Sequence, residues 1–310
     1  MTKKVVSIDI GGTSVKLAII DDYRNIIEKW QIPTNIVNNG INIISDTINT
    51  IKEHLVLYSK EEIVGIGIGI PGPISVDGSR VIKAVNLGWN DVPLKSIFED
   101  KFDVPVNLLN DANSAALGEM WAGAGQGINN LMFVTLGTGV GAGIIIDGKI
   151  INGAHSSGGE IGHIPVISNE HRVCGCGNLN CLESFASANG MVKTMKRILT
   201  EANVNRGHFT TIDIFRWMSD GDKYARQAVE ETTNYLGFAF AGILNTLDLE
   251  KIVIGGGLSG AGDALLNPLI KSVDSHVFSQ IRSNYVISLS QLGNNAGIFG
   301  DAAFFFNEKV

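Results

Sequence analysis

Apolar segments that end in short glycine-rich turns recur along the chain. Residues 5–10 and 15–20 are apolar and rich in β-branched side chains, and Gly11-Gly12-Thr13-Ser14 lies between them. This pattern is typical of a β-hairpin. It returns roughly 126 residues later, where two apolar runs flank Gly137-Thr138-Gly139. Two hairpins of related sequence predict a duplicated fold.

The remaining periodicities predict an α/β protein. Apolar residues recur at helical spacing from Ile41 to Leu55, and residues 63–70 alternate isoleucine with glycine. The first pattern predicts a helix that buries one stripe of side chains, Ile41, Ile44, Ile48, Ile51 and Leu55. The second predicts a strand whose glycine face allows a neighbour to approach closely. The other predicted elements are strands at 104–110, 131–136, 140–146 and 251–254 and helices at 112–120, 224–247 (with a kink near Gly237 or Gly242) and 296–306.

Composition and charge narrow the class of protein. The 310 residues are enough for two domains, and 45% hydrophobic and 18% charged residues are typical of a globular protein. A net charge of −7 opposes binding to nucleic acid. Asp9 interrupts the first apolar segment, so we expect no export signal, and no apolar run is long enough to cross a membrane. These features predict a cytoplasmic protein whose partners are small molecules.

All three cysteines, Cys174, Cys176 and Cys181, fall within eight residues, and His163 precedes them by eleven positions. Three thiolates and one imidazole are a common ligand set for a closed, structural zinc site. His171 is a rival fourth ligand. A disulfide is disfavoured because the count is odd, and three reduced thiols packed as small apolar side chains are the remaining alternative.

The glycine turns are candidate phosphate sites because successive backbone N–H groups can hold phosphate oxygens. Asp9 precedes the first turn and is a candidate Mg²⁺ ligand. A third turn, Gly255-Gly256-Gly257, follows a short strand and precedes a helix. A purely structural role in ordinary hairpins is the alternative.

Six motifs in fixed order resemble one family. They are Asp9-Ile-Gly-Gly-Thr13, Asn86-Leu-Gly-Trp89, Asn110-Asp111-Ala-Asn113, Leu136-Gly-Thr-Gly-Val-Gly141, Glu160-Ile-Gly-His163 and Cys174-x-Cys176-Gly-x-x-x-Cys181-x-Glu183. Together they resemble the ROK family of sugar kinases and repressors, and within it the ATP-dependent bacterial glucokinases. One departure is Asn180, which stands where the family usually has glycine. Asparagine tolerates a left-handed turn, so the expected metal loop is little affected.

The resemblance implies a duplicated ribonuclease-H-like fold of the actin and hexokinase type, with ATP and a hexose bound between two lobes. The implied general base is Asp111, although the carboxylate of Asp111 could instead only cap the following helix. The implied sugar ligands are Gly72, Asn86, Asn110, Asp111, Glu160, His163 and Glu183. The implied ATP and Mg²⁺ site comprises Asp9, Gly11, Gly12, Thr13, Lys16, Gly137, Thr138, Gly139, Gly256 and Gly257. The implied zinc ligands are His163, Cys174, Cys176 and Cys181.

Several expectations about organisation follow from the same resemblance. We expect an N-terminal lobe at 1–118, onto which a C-terminal helix (296–310) packs back, and a second lobe at 119–295 that carries the zinc loop. We also expect a homodimer or homotetramer. Another sugar (N-acetylmannosamine, fructose, allose or a β-glucoside) is the alternative substrate. A sugar-responsive repressor is a remote alternative, because the first hairpin begins at Val5 and leaves little room for a DNA-binding domain.

Overall fold

The computed structural model describes residues 2–306. The strands are β1 (Lys4–Ile10), β2 (Ser14–Asp21), β3 (Ile26–Pro33), β4 (Ile63–Ile70), β5 (Val81–Ala84), β6 (Trp89–Val92), β7 (Val106–Asn110), β8 (Leu131–Leu136), β9 (Val140–Ile146), β10 (Lys149–Ile150), β11 (Lys251–Gly255) and β12 (Val286–Leu289). The helices are α1 (Val37–Leu55), α2 (Leu94–Phe102), α3 (Asp111–Ala122), α4 (Glu183–Ala186), α5 (Ala188–Glu201), α6 (Thr211–Ser219), α7 (Lys223–Leu247), α8 (Asp263–His276) and α9 (Ala296–Phe306).

Two five-stranded sheets share one strand pattern. Their orders are β3-β2-β1-β4-β7 and β10-β9-β8-β11-β12. In each sheet three consecutive strands stand at one end in reverse order, and the two later strands follow on the other side. The later strands run parallel to their neighbours: β4 to β1, β7 to β4, β11 to β8 and β12 to β11. The repeated order is the duplication that the two glycine hairpins predicted.

The chain divides into two compact units. Of the described residues, unit 1 comprises 2–129, 143–158 and 294–306, and unit 2 comprises 130–142 and 159–293. The division runs through β9, which begins in unit 2 and continues into unit 1.

The predicted elements are found close to their expected bounds. Strands β4, β8 and β9 match residue for residue, and so does helix α9 over 296–306, while the expected extension of this helix to residue 310 lies outside the described residues. Helix α7 is one uninterrupted helix, and at Gly237 an added Cβ would lie 2.2 Å from Oγ of Ser272 in α8. The glycine therefore allows two helices to pack closely, where we expected a kink.

Helix α1 departs from the expected stripe. Ile41 is 69% exposed, whereas Ile43 is 1% exposed and packs in the core of unit 1. Asn38, Asn39 and Gly40 have left-handed backbone angles, so the regular helix starts only after Gly40. Because the regular helix begins after Gly40, Ile43 faces the core and Ile41 faces solvent. The prediction that Ile41 is buried was therefore wrong.

The glycines of β4 are required by the C-terminal helix. A Cβ at Gly67 would lie 2.1 Å from the carbonyl oxygen of Asp301, and one at Gly65 would lie 2.1 Å from the Phe305 ring. Helix α9 thus lies directly on β4. It also contacts α3 closely, because a Cβ at Gly300 would lie 1.6 Å from the carbonyl oxygen of Ser114. The expected close neighbour of the glycine face is therefore α9.

Several elements were not predicted. They are β3, the β5–β6 hairpin, β10, β12, α2, α4, α5 and α6, whereas α8 is the helix that was expected after the Gly255–Gly257 turn. Across residues 2–306, every helix is either too short or too polar to cross a bilayer.

Candidate active site

In unit 1, the first glycine turn joins β1 to β2. The N–H of Gly11 donates to the carbonyl of Ser14 (3.0 Å), and the hydroxyl of Thr34 donates to the carbonyl of Gly11 (2.7 Å). Asn86 lies beside this turn, because a Cβ added at Gly12 would be 3.7 Å from Cβ of Asn86. Folding therefore brings an expected sugar ligand next to the expected phosphate turn.

Asp9 and Lys16 face each other across the β1–β2 hairpin. The two residues are register partners, and Nζ of Lys16 lies 3.0 Å from Oδ2 of Asp9. Both side chains are partly exposed. An ammonium and a carboxylate at this turn provide one group for phosphate oxygens and one for a metal ion.

Asn110 and Asp111 lie where β7 ends and α3 begins. The side-chain oxygen of Asn110 accepts from the N–H groups of Ala112 (3.0 Å) and Asn113 (3.4 Å), so Asn110 is the helix N-cap. Its amide nitrogen lies 3.3 Å from the carbonyl of Gly72 and donates to it. Asp111 is exposed in the first helical turn. Its Oδ1 accepts from the N–H of Ala112 at 2.8 Å, so Asn110 and Asp111 share the cap of α3.

Gly72 has a φ of +125°, and an added Cβ would lie 2.2 Å from the carbonyl oxygen of Lys83. Only glycine tolerates both the backbone angle and the contact. The backbone of this expected sugar contact is therefore held in place from two sides, by Lys83 and by Asn110.

Asp301, a fully buried carboxyl on α9, was not among the predicted site residues. Its Oδ1 accepts a 2.6 Å hydrogen bond from Ser114. Burial raises the pKa of Asp301 well above its ordinary value, and the charges of Asp9 and Asp111 raise it further, while the Ser114 hydroxyl and the N–H of Gly69 oppose the shift. A third carboxyl, whose neutral form is favoured by burial, therefore lies near the two acidic candidates. The sequence around Asp301 is rich in phenylalanine and contains no motif that indicates a functional carboxyl.

In unit 2, two glycine turns lie together. The N–H of Gly137 donates to the carbonyl of Gly139 (3.0 Å), which closes the turn after β8. Gly256 has a φ of +82°, and an added Cβ would lie 2.6 Å from the backbone of Leu136. The turn after β11 therefore packs on the residue that precedes the Gly137–Gly139 turn. Two of the three expected phosphate turns form one glycine-lined surface.

Glu183 connects this surface to the cysteine cluster. A Cβ on Gly139 would lie 2.7 Å from Oε2 of Glu183, and Oε1 of Glu183 accepts from the thiol of Cys174 at 2.9 Å. Gly162 also packs here, since an added Cβ would lie 2.2 Å from the carbonyl oxygen of Val140. The Glu160–His163 segment is thereby held against the strand that follows the phosphate turn.

Within residues 2–306, one group of side chains is placed so that it could hold a metal ion. It comprises His163, Cys174, Cys176 and Cys181, whose ligand atoms lie within 4.8 Å of one another. Sγ of Cys176 is 3.6 Å from Sγ of Cys181, and Sγ of Cys174 is 3.7 Å from Nδ1 of His163. Ligands at about 2.3 Å from a tetrahedral zinc are about 3.8 Å apart. The spacing therefore fits Zn²⁺, with His163 and without His171.

The thiols differ in acidity. Burial raises the pKa of Cys174 to about 12 and raises that of Cys181, whereas the N–H of Asn178 lowers the pKa of Cys176. A divalent cation would favour the thiolate at all three positions.

The two ring nitrogens of His163 face different groups, the cysteine cluster and Glu160. Nδ1 faces the cluster, and Nε2 lies 3.8 Å from a carboxylate oxygen of Glu160. Both side chains are exposed by more than a third. His163 is thus able to bind a metal through Nδ1 and a sugar hydroxyl through Nε2, and the two roles that were expected of it are compatible.

A second residue missed from sequence is Arg172, whose side chain is 8% exposed. Its guanidinium donates to Glu170 and to the carbonyls of Ser184 (2.9 Å) and Gly190 (3.1 Å), where α4 meets α5. The N–H of Arg172 donates to Asn180, which has a φ of +55°. The expected left-handed turn is present, and Arg172 ties the cysteine loop to the helix that carries Glu183.

The ROK family profile matches residues 5–308. A glucokinase from Halalkalibacterium halodurans is 40% identical over 305 residues, which cover 95% of this chain and 92% of the relative. A xylose repressor from Caldicellulosiruptor bescii is 34% identical over 255 residues, 80% of this chain and 64% of the repressor.

Among solved structures, a ROK family glucokinase from Streptomyces griseus in complex with glucose and AMPPNP is 28% identical, with a TM-score of 0.78. The match covers 97% of this chain and 98% of that one. The predicted α/β fold of the actin and hexokinase type is confirmed. On the family profile and these relatives, the chain belongs to the ROK family.

Proposed function

We propose that this chain transfers the γ-phosphoryl group of ATP to the 6-hydroxyl of glucose. The observation that carries the proposal is the arrangement at the start of α3. Asn110 caps α3 and donates to the carbonyl of Gly72, and the exposed carboxylate of Asp111 is the next side chain along, at the carboxyl end of β7. The similarity to a glucokinase over 95% of the chain supports the choice of reaction.

In the proposed mechanism Asp111 is the general base. The sugar oxygen attacks the γ-phosphorus, the bond from that phosphorus to the β-phosphate oxygen breaks, and Asp111 accepts the hydroxyl proton late in the transfer. Asn86, Asn110, Glu160, His163 and Glu183 bind sugar hydroxyls, and the backbone of Gly72 approaches the ring. Correct positioning supplies most of the acceleration, because the transition state is loose.

ATP is held mainly by backbone N–H groups. The proposed contacts are Gly11, Gly12, Thr13, Gly137, Thr138, Gly139, Gly256 and Gly257. Lys16 faces Asp9 at 3.0 Å and would turn toward phosphate oxygens when ATP binds. Asp9 would hold Mg²⁺, directly or through water, and the ion would neutralise charge on the transferred group.

Zinc, in this proposal, has a structural role. The four ligands His163, Cys174, Cys176 and Cys181 leave no open coordination position, so the ion would stabilise the loop instead of reacting. Glu183 follows Cys181 by two residues and borders Gly139, so the loop sets the position of a sugar ligand beside a phosphate turn.

The lobe boundaries at 118/119 and 295/296, a cytoplasmic location and a homodimer or homotetramer also belong to the proposal. Another hexose or N-acetylhexosamine is the alternative substrate. A sugar-responsive repressor is the second candidate, since a xylose repressor is 34% identical over 80% of this chain.

An ADP-release assay with MgATP and a panel of hexoses and N-acetylhexosamines tests the proposal. We expect glucose to give the highest kcat/KM. Higher activity with another sugar would correct the substrate, and no ADP release with any sugar, together with a gel shift on promoter DNA, would favour the repressor.

A further inference from the structure

Within unit 2, the first turn of α5 packs against the glycine turn that follows β8. The N–H of Ala188 donates to the carbonyl of Gly137 at 2.9 Å, and Nδ2 of Asn189 donates to the carbonyl of Thr138 at 3.2 Å. Two successive carbonyls of the turn are therefore held by two successive residues of the helix. Asn189 was not among the predicted site residues, and its partner lies 51 residues earlier in the sequence.

These two hydrogen bonds fix the direction of two peptide groups. In a trans peptide the carbonyl and the N–H point in opposite directions, and no peptide bond in the described chain is cis. Because the carbonyls of Gly137 and Thr138 point toward α5, the N–H groups of Thr138 and Gly139 point away from it. Asn189 thus sets the direction of the Gly139 N–H without contacting it.

Both of these N–H groups are available to a ligand. Neither makes a hydrogen bond within residues 2–306, and Thr138 is exposed while Gly139 is half-buried. Successive N–H groups on one side of a turn are a common binding site for phosphate oxygens. The orientation that α5 imposes on the turn is therefore the one that a phosphate site requires.

The start of α5 is itself fixed from several sides. Ser187, which is 2% exposed, caps the helix by accepting from the N–H of Gly190 at 3.1 Å. An added Cβ at Gly190 would lie 2.5 Å from the backbone of Phe185, so the helix start packs tightly on α4. Arg172 donates to the carbonyl of Gly190 at 3.1 Å. Asn189 therefore extends from a rigid support.

A purely structural role in α5 explains Asn189 less well. Ser187 already caps the helix, and the side chain of Asn189 is exposed. Alanine is a better helix former than asparagine, so the helix alone gives no reason for an amide here. The contact that the amide does make is with the carbonyl of Thr138.

We infer that Asn189 is a positioning residue for the phosphate chain of ATP. Its amide holds the Thr138 carbonyl, so that the N–H of Gly139 faces a phosphate oxygen. That the ligand of the turn is ATP rests on the proposed function. Asn189 acts through the turn and does not itself take part in phosphoryl transfer.

Calorimetry on the full chain with Mg²⁺ and without sugar measures the binding of AMPPNP and AMP. Asn189→Ala removes the donor and suits a helix. Asn189→Gln keeps an amide donor on a longer, exposed side chain. Ala188→Pro removes the other donor at the first helical position, where proline is tolerated. Asn49→Ala, at an exposed position on α1, is the matched control.

We expect Asn189→Ala to bind AMPPNP about three- to tenfold more weakly, as for one lost hydrogen bond between neutral groups. The ratio of AMPPNP affinity to AMP affinity should fall, because AMP lacks the two terminal phosphates. Ala188→Pro should change the ratio in the same direction, whereas Asn189→Gln and Asn49→Ala should keep the wild-type ratio. In turnover, the KM for ATP should rise in Asn189→Ala while the KM for glucose stays the same.

Thermal unfolding identifies any variant that does not fold. Such a variant is replaced by crystals of the wild type soaked with AMPPNP, in which the nitrogen of Gly139 should lie within about 3.2 Å of a phosphate oxygen. Phosphates bound away from this turn would overturn the inference.

An unchanged affinity ratio in folded Asn189→Ala would also overturn the inference, as would equal losses for AMPPNP and AMP. Sugar phosphorylation by the wild type, with the same KM for ATP in Asn189→Ala, would keep the proposed function and reject the role of Asn189. Nucleotide binding that depends on Asn189, without phosphorylation of any sugar, would do the reverse. A wild type that binds neither nucleotide would reject both.

Discussion

Ser114 donates a 2.6 Å hydrogen bond to Asp301 where α3 contacts α9, and both side chains are fully buried. Among the described residues, Oδ2 of the same carboxyl has no hydrogen-bond partner. The contact is close because Gly300 lacks a side chain beside the Ser114 carbonyl. A buried carboxyl thus joins the C-terminal helix to the helix that carries Asp111.

Asp301 makes stability depend on pH. Its pKa is raised in the folded protein above the ordinary value of 3.8, mainly by burial. Between those two values the unfolded chain has released the proton that the folded chain keeps, so stability falls as pH rises through this window, by up to about 1.4 kcal/mol per pH unit.

The variant Asp301→Asn should therefore match the wild type near pH 4 and unfold at a higher temperature near pH 7. Thermal unfolding at both pH values measures this, with the exposed Asp46→Asn as control. A lower melting temperature of Asp301→Asn at neutral pH would show that the ionised carboxylate contributes favourably.

Asp111→Asn should lower kcat by roughly 10²-fold or more, because the amide cannot accept the hydroxyl proton. The melting temperature should change little, since Asn110 caps the helix and an amide oxygen at position 111 can still accept from the N–H of Ala112. Asp46→Asn, an exposed acid on α1, should keep the wild-type rate. A folded Asp111→Asn variant with near-wild-type turnover would remove Asp111 from the role of base.

The zinc proposal predicts different effects of substituting His163 and His171. His163→Ala and Cys176→Ser should lose bound zinc and bind sugar more weakly, because the loop beside Glu183 loses its support. His171→Ala should keep one zinc per chain. Elemental analysis of the purified proteins measures the metal, and a wild-type protein without zinc would contradict the proposal.

Two glycines in the middle of helices should respond oppositely to the same change. Gly300→Ala places a Cβ 1.6 Å from the Ser114 carbonyl oxygen and should destabilise the protein by about 1–3 kcal/mol or more. At Gly242, nothing in the described chain lies within 4 Å of an added Cβ, so Gly242→Ala should stabilise α7 by up to about 1 kcal/mol.

Chemical denaturation of both variants measures the difference. Equal stability of Gly300→Ala and the wild type would mean that α9 can shift away from α3 without cost.

Local patterns were enough to predict several elements and most candidate groups. Alternating apolar residues and glycine turns identified β4, β8 and β9, because strand period and turn chemistry are properties of neighbouring residues. The spacing of the cysteines indicated a metal site, and the structure brings His163 to it. The order of the six motifs along the chain was enough to indicate the family.

Contacts between distant segments were decided only by tertiary structure. The burial of Asp301 depends on α9 lying on β4, and the glycine spacing of β4 indicated a close neighbour without identifying it. The contacts of Arg172 with Ser184 and Gly190 likewise depend on residues that are not neighbours in the sequence. The spacing of apolar residues within a helix or strand shows which of its faces is apolar. It does not show which other helix or strand packs on that face, because that choice depends on shape and volume across the whole fold.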